Sequence, residues 1–156
     1  MSTGLSDLYQ EVILDHSRHP RNFGAAESAN RQARGNNPLC GDRVTVYLAV
    51  DGEHINDARF NARGCAISIA SASMMTEMIK GKTVAQAKSL FDRFHTLVAS
   101  DAGESGEANG DSDEDMTELA SLSGVRAFPT RIKCATLAWH AMSAALDGAD
   151  DDVKTE

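Results

Sequence analysis

The chain has 156 residues, 42% of them apolar, 24% charged and only 5% aromatic, with a formal net charge of −8. That length suits one domain able to bury its own core without disulfides, so Ala, Val, Leu, Ile and the six Met must fill the interior. No run of about 18 apolar residues exists to span a membrane. The acidic balance excludes nucleic acid and anionic membrane as natural partners, because both need a cationic face.

Met1 to Gln10 has neither a basic patch nor an apolar run, so it does not read as a secretory signal, and the expected compartment is cytoplasmic. Leu5, Leu8, Tyr9, Val12 and Ile13 trace one face of an amphipathic helix that Pro20 stops. Residues 21–38 are polar and read as loop, with only a weak pattern for a strand within 28–36. Val44, Val46, Leu48 and Val50 alternate with less apolar neighbours as a half-buried strand; Asp51-Gly52 signals a hairpin, and Ala58, Phe60 and Ala62 continue the alternation. Residues 66–80 are apolar nearly all round, which predicts a buried helix ending at Gly81. Thr83 and Gln86 have capping-box spacing before a helix carrying Val84, Ala87, Leu90, Phe91 and Phe94. A connector at about 100–116 holds nothing bulky and is expected to be mobile. Residues 101–118 carry eight acids and no Lys or Arg; without them acids and bases are equal in number. After a short helical piece near Leu119, Pro129 opens a long helix, buried through Ile132, Ala135, Leu137, Trp139, Met142 and Leu146 and ended by Gly148. The acidic tail from about 148 is expected to be frayed, and residues 1–156 to form one domain.

The three cysteines stand at element boundaries: Cys40 before Gly41-Asp42, Cys65 after Gly64 where strand gives way to helix, and Cys134 near the start of the Pro129 helix, where unpaired N–H groups favour a thiolate. A lone cytosolic cysteine is more often a small buried hydrophobe than a ligand, and no CxxC pair is present. Spacing alone therefore leaves core filling and a metal site both open. Three thiolates and a carboxylate would suit tetrahedral zinc. His16 and His19 could share a ligand by their spacing but read as a surface pair. His54 falls in the hairpin turn, His95 on an exposed helix face, and His140 nearly two turns from Cys134.

Longer blocks carry a resemblance. Leu8-Tyr9 through Asp15-His16, Pro20-Arg21-Asn22, Asn37-Pro38-Leu39-Cys40-Gly41-Asp42, Gly64-Cys65-Ala66-Ile67-Ser68 with Ala70 to Met75, and Phe128 to Leu137 resemble the SufU-type iron–sulfur cluster assembly proteins, related to IscU and the NifU N-terminal domain. The resemblance implies an IscU-like α+β fold, a small antiparallel β-sheet packed against several helices. It implies that Cys40, Asp42, Cys65 and Cys134 bind zinc. It also implies that Cys40 accepts persulfide sulfur from a SufS-type cysteine desulfurase, a histidine of that enzyme replacing Cys40 on the metal, for delivery to downstream scaffold or acceptor proteins. Related IscU scaffolds carry His immediately before the third cysteine; here that residue is Lys133, which weakens the alternative of a scaffold holding a transient [2Fe–2S] cluster. Lys133 and Arg131 could hold anionic sulfur species or pair with a partner's acids, against the blander reading of solvated helix charges.

Overall fold

The alternation in residues 42–63 builds the centre of the molecule. The computed structural model describes residues 3–24, 29–37, 41–99, 122, 129–148 and 153–154. Strands β2 (Asp42–Asp51) and β3 (His54–Arg63) form the expected antiparallel hairpin, turning at Gly52, whose φ of 63° suits glycine. Val44, Val46 and Leu48 lie opposite Ala62, Phe60 and Ala58 on one face. Of these only Ala62 is not fully buried, because that face is covered by helices. His54 is the first residue of β3, opposite Asp51, just past the turn itself.

The stretch expected to be loop contains a full strand, β1 (Arg31–Asn37), paired antiparallel with β2 from Arg31↔Leu48 to Asn37↔Asp42. Its sequence, RQARGNN, hides this because its inward positions are Ala33, Gly35 and Asn37. The reason is space: a Cβ on Gly35 would come within 3.0 Å of Leu137 Cδ1 on the helix above. Asn30 extends the pairing with its side chain, accepting from Val50 N–H at 2.9 Å and donating to Val50 C=O at 2.8 Å. Val153–Lys154, within the tail expected to fray, form a two-residue strand β4, parallel to Gly35–Asn36; the sheet order is β3-β2-β1-β4.

Four helices complete the described fold: α1 (Thr3–Arg18), α2 (Ala66–Ile79), α3 (Val84–Ala99) and α4 (Pro129–Leu146). As its composition predicts, α2 is buried on nearly all sides, packed against α1, α4 and β3. Gly81, at φ 87°, follows its end, and the Thr83–Gln86 capping box closes with bonds of 3.0 and 3.1 Å. Helix α4 lies over β1 and β2. Its last carbonyls accept from Arg31, with the Leu146 oxygen at 2.8 Å, which satisfies groups a helix end leaves orphaned. Ser71 ties α2 to α4: its Oγ accepts from Trp139 Nε1 at 3.0 Å and donates to the Ala135 carbonyl. His16 is not the surface residue its sequence position suggested. It is 3% exposed and meets Ser73 Oγ at 2.7 Å through Nδ1, pinning the end of α1 to α2. His19 is exposed, so the two do not act as a pair. The acidic connector and the short helix near Leu119 lie outside the described residues, apart from the fully buried Leu122. No helix among the described residues is long and apolar enough to cross a membrane.

Candidate metal centre

Three elements end at one point. Asp42 opens β2, and alternation with Val44 sends its side chain to the helix-covered face, where the residue is fully buried. A buried carboxylate is costly unless it is bonded. Here the Cys65 backbone N–H donates to Oδ1 at 2.9 Å, and Cys65 Sγ stands 3.7 Å from Oδ2. Glycine at 64 makes the approach possible. Its φ is 146°, and an added Cβ would overlap Asp42 Oδ1 and lie 2.9 Å from Cγ. The carboxylate therefore occupies the place of a missing side chain.

Cys65 is the N-cap of α2, with extended φ/ψ of −77° and 164° and no side-chain capping bond. Its sulfur thus lies at the helix end whose N–H groups stabilise negative charge. Cys134 comes from α4, positioned by the Ser71–Trp139–Ala135 clamp, and is fully buried. Because α4 begins at Pro129, Cys134 falls past the first turn, so the helix-end argument made for it belongs to Cys65. Cys65 and Cys134 form no disulfide.

The ligand atoms of Asp42, Cys65 and Cys134 all lie within 4.8 Å of one another. Tetrahedral zinc with ordinary bond lengths would set a sulfur–oxygen edge of about 3.5 Å. The observed 3.7 Å between Cys65 Sγ and Asp42 Oδ2 fits that edge, so the donors suit zinc in both kind and spacing. Cys40 lies outside the described residues, but Asn37 and Gly41 on either side of residues 38–40 do not. Gly41 N–H donates to Asn37 C=O at 2.8 Å, which ties together the ends of the segment containing Pro38, Leu39 and Cys40, and Gly41 has a φ of 74°. Connectivity alone keeps Cys40 next to Gly41 and two residues from the Asp42 donor.

Arg131 completes the surroundings. It is exposed, one turn before Cys134 on α4, where its guanidinium interacts electrostatically with both sulfurs. The charge on Cys65 is the main cause that raises its pKa above the ordinary arginine value; burial comes next and opposes it, and Cys134 adds to the rise. Lys133 is half-buried. Among the described residues no histidine joins Asp42, Cys65 and Cys134. His95 and His140 instead meet each other and Phe91 at the α3–α4 joint, with the two imidazole centroids 6.2 Å apart. Sequence reasoning missed the role of Gly64, although a glycine between a strand end and a cysteine was its signal. It named Arg131 only as one option, although the i, i+3 spacing to Cys134 places the two on one helix face.

Comparison with known proteins agrees with this picture. The profile of the NifU-like N terminal domain matches residues 8–135. The zinc-dependent sulfurtransferase SufU of Bacillus subtilis (strain 168) is 43% identical over 141 residues, covering 90% of each chain. The iron-sulfur cluster assembly scaffold protein IscU of Streptococcus pyogenes serotype M1 is 38% identical over 142 residues, covering 91% of this chain and 84% of that one. Among solved structures, an iron–sulfur cluster assembly scaffold protein for the SUF system from Fervidobacterium islandicum AW-1 superposes with a TM-score of 0.77 at 32% identity, over 92% of this chain and 99% of that one. With its α+β architecture, its three converging donors and a family match across most of its length, this chain belongs to the NifU-like N-terminal domain family of iron–sulfur cluster assembly proteins.

Proposed function

We propose that this chain is a zinc-dependent sulfur acceptor, taking persulfide sulfur from a SufS-type cysteine desulfurase in the cytoplasm and passing it toward iron–sulfur cluster assembly. The observation that carries the reading is the convergence of Asp42, Cys65 and Cys134 within 4.8 Å, with Cys40 two residues before Asp42 in the sequence. Cys40, Asp42, Cys65 and Cys134 would hold the metal. Bound zinc keeps its cysteine ligands deprotonated at neutral pH.

Cys40 is the acceptor. Its thiolate attacks the outer sulfur of the desulfurase persulfide; that sulfur–sulfur bond breaks, the desulfurase cysteine leaves as a thiolate, and the sulfur stays on Cys40 as a new persulfide. Cys40 suits this role because the other two sulfurs are committed to the fold: Cys134 is buried in a helix and Cys65 is fixed at a helix N-cap. Asp42 keeps its orientation through the Cys65 N–H, and Arg131 offsets part of the negative charge gathered there. Residues 1–156 act as one unit in this reading, with downstream scaffold or acceptor proteins receiving the sulfur.

The test is native mass spectrometry after incubation with desulfurase and cysteine. One zinc per chain and an added sulfur on Cys40 are expected, together with faster desulfurase turnover. Cys40→Ala should lose both the added sulfur and the acceleration; retained acceleration would overturn the role of Cys40. A second reading, a scaffold for a [2Fe–2S] cluster, draws on the relatives that bear the scaffold name. It predicts a cluster on anaerobic reconstitution that moves intact to an acceptor protein, and tight zinc that excludes iron would count against it.

A further inference from the structure

Helix α2 presents a short stripe to α4. Cys65 at its N-cap, Ser68 one turn on and Ser71 one turn further lie three residues apart, so neighbours in the series share a face. Both ends of the stripe touch the same stretch of α4. The Cys65 sulfur lies within 4.8 Å of the Cys134 sulfur, and the Ser71 hydroxyl donates to the carbonyl of Ala135. Ser68 stands between these two contacts, against the same stretch. A helical side chain leans toward the N-terminus of its helix, which carries the Ser68 hydroxyl back over the turn that Cys65 opens, toward the donor cluster. Ser68 is 1% exposed, and its Oγ is closed off from solvent with no hydrogen-bond partner. Ser71 and Ser73 on the same helix are as deeply buried, yet both are bonded. The unbonded hydroxyl is therefore a feature of the turn beside the donors. A buried hydroxyl without an acceptor is costly, and native folds rarely leave one.

We propose that Ser68 is a positioning residue of the metal centre, its hydroxyl donating to the Cys134 sulfur in the zinc-bound protein. The inference rests on the zinc-binding reading above and adds a division of labour among the sulfurs. A thiol accepts a hydrogen bond weakly, but a thiolate accepts one well, and zinc keeps its cysteine ligands as thiolates. Metal binding thus supplies the acceptor that the Ser68 hydroxyl lacks among the protein's other atoms. A hydrogen-bonded thiolate is the weaker nucleophile. Ser68 therefore keeps Cys134 as a lasting ligand and leaves attack on the incoming persulfide to Cys40.

The experiment compares full-length wild type with Ser68→Ala, each loaded with zinc and, separately, with cobalt(II) as a coloured substitute. Losing a hydrogen bond raises the energy of a thiolate's lone pairs, so the sulfur-to-cobalt charge-transfer band of the variant should move to longer wavelength. Zinc affinity, from competition with a chelator, should fall about tenfold, as expected when a group that bonds a metal ligand is removed. An unmoved band overturns the proposal, whatever the affinity. An unmoved band together with a lower urea midpoint for the zinc-loaded variant would also assign the hydroxyl to a buried water or to a carbonyl of its own helix. With excess cobalt the shift should survive in a Cys65→Ser background; its loss there would move the bond to Cys65 and overturn the assignment to Cys134. If wild-type protein takes up neither zinc nor cobalt, the metal reading fails and this inference with it. Metal uptake with an unmoved band sinks only the role of Ser68.

Discussion

Two places in the molecule gather titratable side chains from distant stretches of chain, and they do it in opposite ways. At the end of the sheet, the start of β2, the N-cap of α2 and the second turn of α4 stop against one another, and three donors fall within 4.8 Å. About 9 Å further along α4, the rise of six residues, His140 meets His95 and Phe91 where two helices run past each other. There the imidazoles contact edge to face and serve as aromatic packing, with Trp139 stacked on Phe91 beside them. Here the elements that converge at one end of the sheet bring donors together, whereas the two helices that run side by side bring rings together. The same kinds of residue thus acquire different chemistry from topology alone.

The sharpest way to break the first arrangement is to remove a donor. Cys65→Ser or Cys134→Ser should weaken zinc binding by more than the roughly 100-fold that changes around a metal's ligands reach. Competition with a chromophoric chelator measures it, and near-wild-type affinity in either variant would remove that residue from the ligand set. The next effect tests the arrangement rather than the donors. Gly64→Ala pushes a methyl group into the Asp42 carboxylate and should cost about 10- to 100-fold in zinc affinity. In an Asp42→Ala background there is no carboxylate to displace, so the same change should cost little more. Equal losses in both backgrounds would show that Gly64 acts through backbone strain and not through Asp42.

These effects turn on features of unequal visibility in the sequence. The hairpin, the buried α2, the Thr83 capping box and the start of α4 were legible because each leaves a local periodicity or a cap. Strand β1 was not, because its inward positions are small or polar for reasons that reside in α4, namely the room Leu137 needs beside Gly35. His16 misled for a similar reason: what makes it a buried bond acceptor or donor is Ser73, 57 residues away. Asp42, Cys65 and Cys134 could be named from motif blocks, but periodicity left their convergence open. Distances between donors arise only when β2, α2 and α4 are packed together. Arg131 was one choice of two, and its electrostatic interaction with both sulfurs singles it out.

A smaller effect should follow from loosening the clamp that sets α4 against α2. Ser71→Ala leaves the Trp139 indole N–H without its acceptor in a fully buried place, at a cost of about 1–3 kcal/mol. Urea unfolding of the zinc-loaded protein checks this. A change below about 0.5 kcal/mol would mean that the indole finds another acceptor and that the clamp is not what positions Cys134.

The smallest expected effect belongs to the histidine joint and is read as a slope against pH. Burial is the first cause that holds His140 below the ordinary histidine value of 6.5, and the charge of His95 adds to it. In the unfolded chain His140 takes up its proton near pH 6.5, but in the folded chain only at lower pH. Between those points the unfolded state binds more protons, so stability falls as pH drops below about 6.5 and levels off once folded His140 is protonated; above that range its contribution is constant. Acid also displaces zinc from thiolates, so the informative quantity is the difference between zinc-loaded wild type and zinc-loaded His140→Gln, in which that loss is common to both. The variant should lose less stability between pH 7 and pH 5, and His95→Gln should fall between the two because it removes only the second cause. Parallel pH profiles for wild type and His140→Gln would place the acid sensitivity entirely at the sulfur site and leave the histidine joint as packing alone.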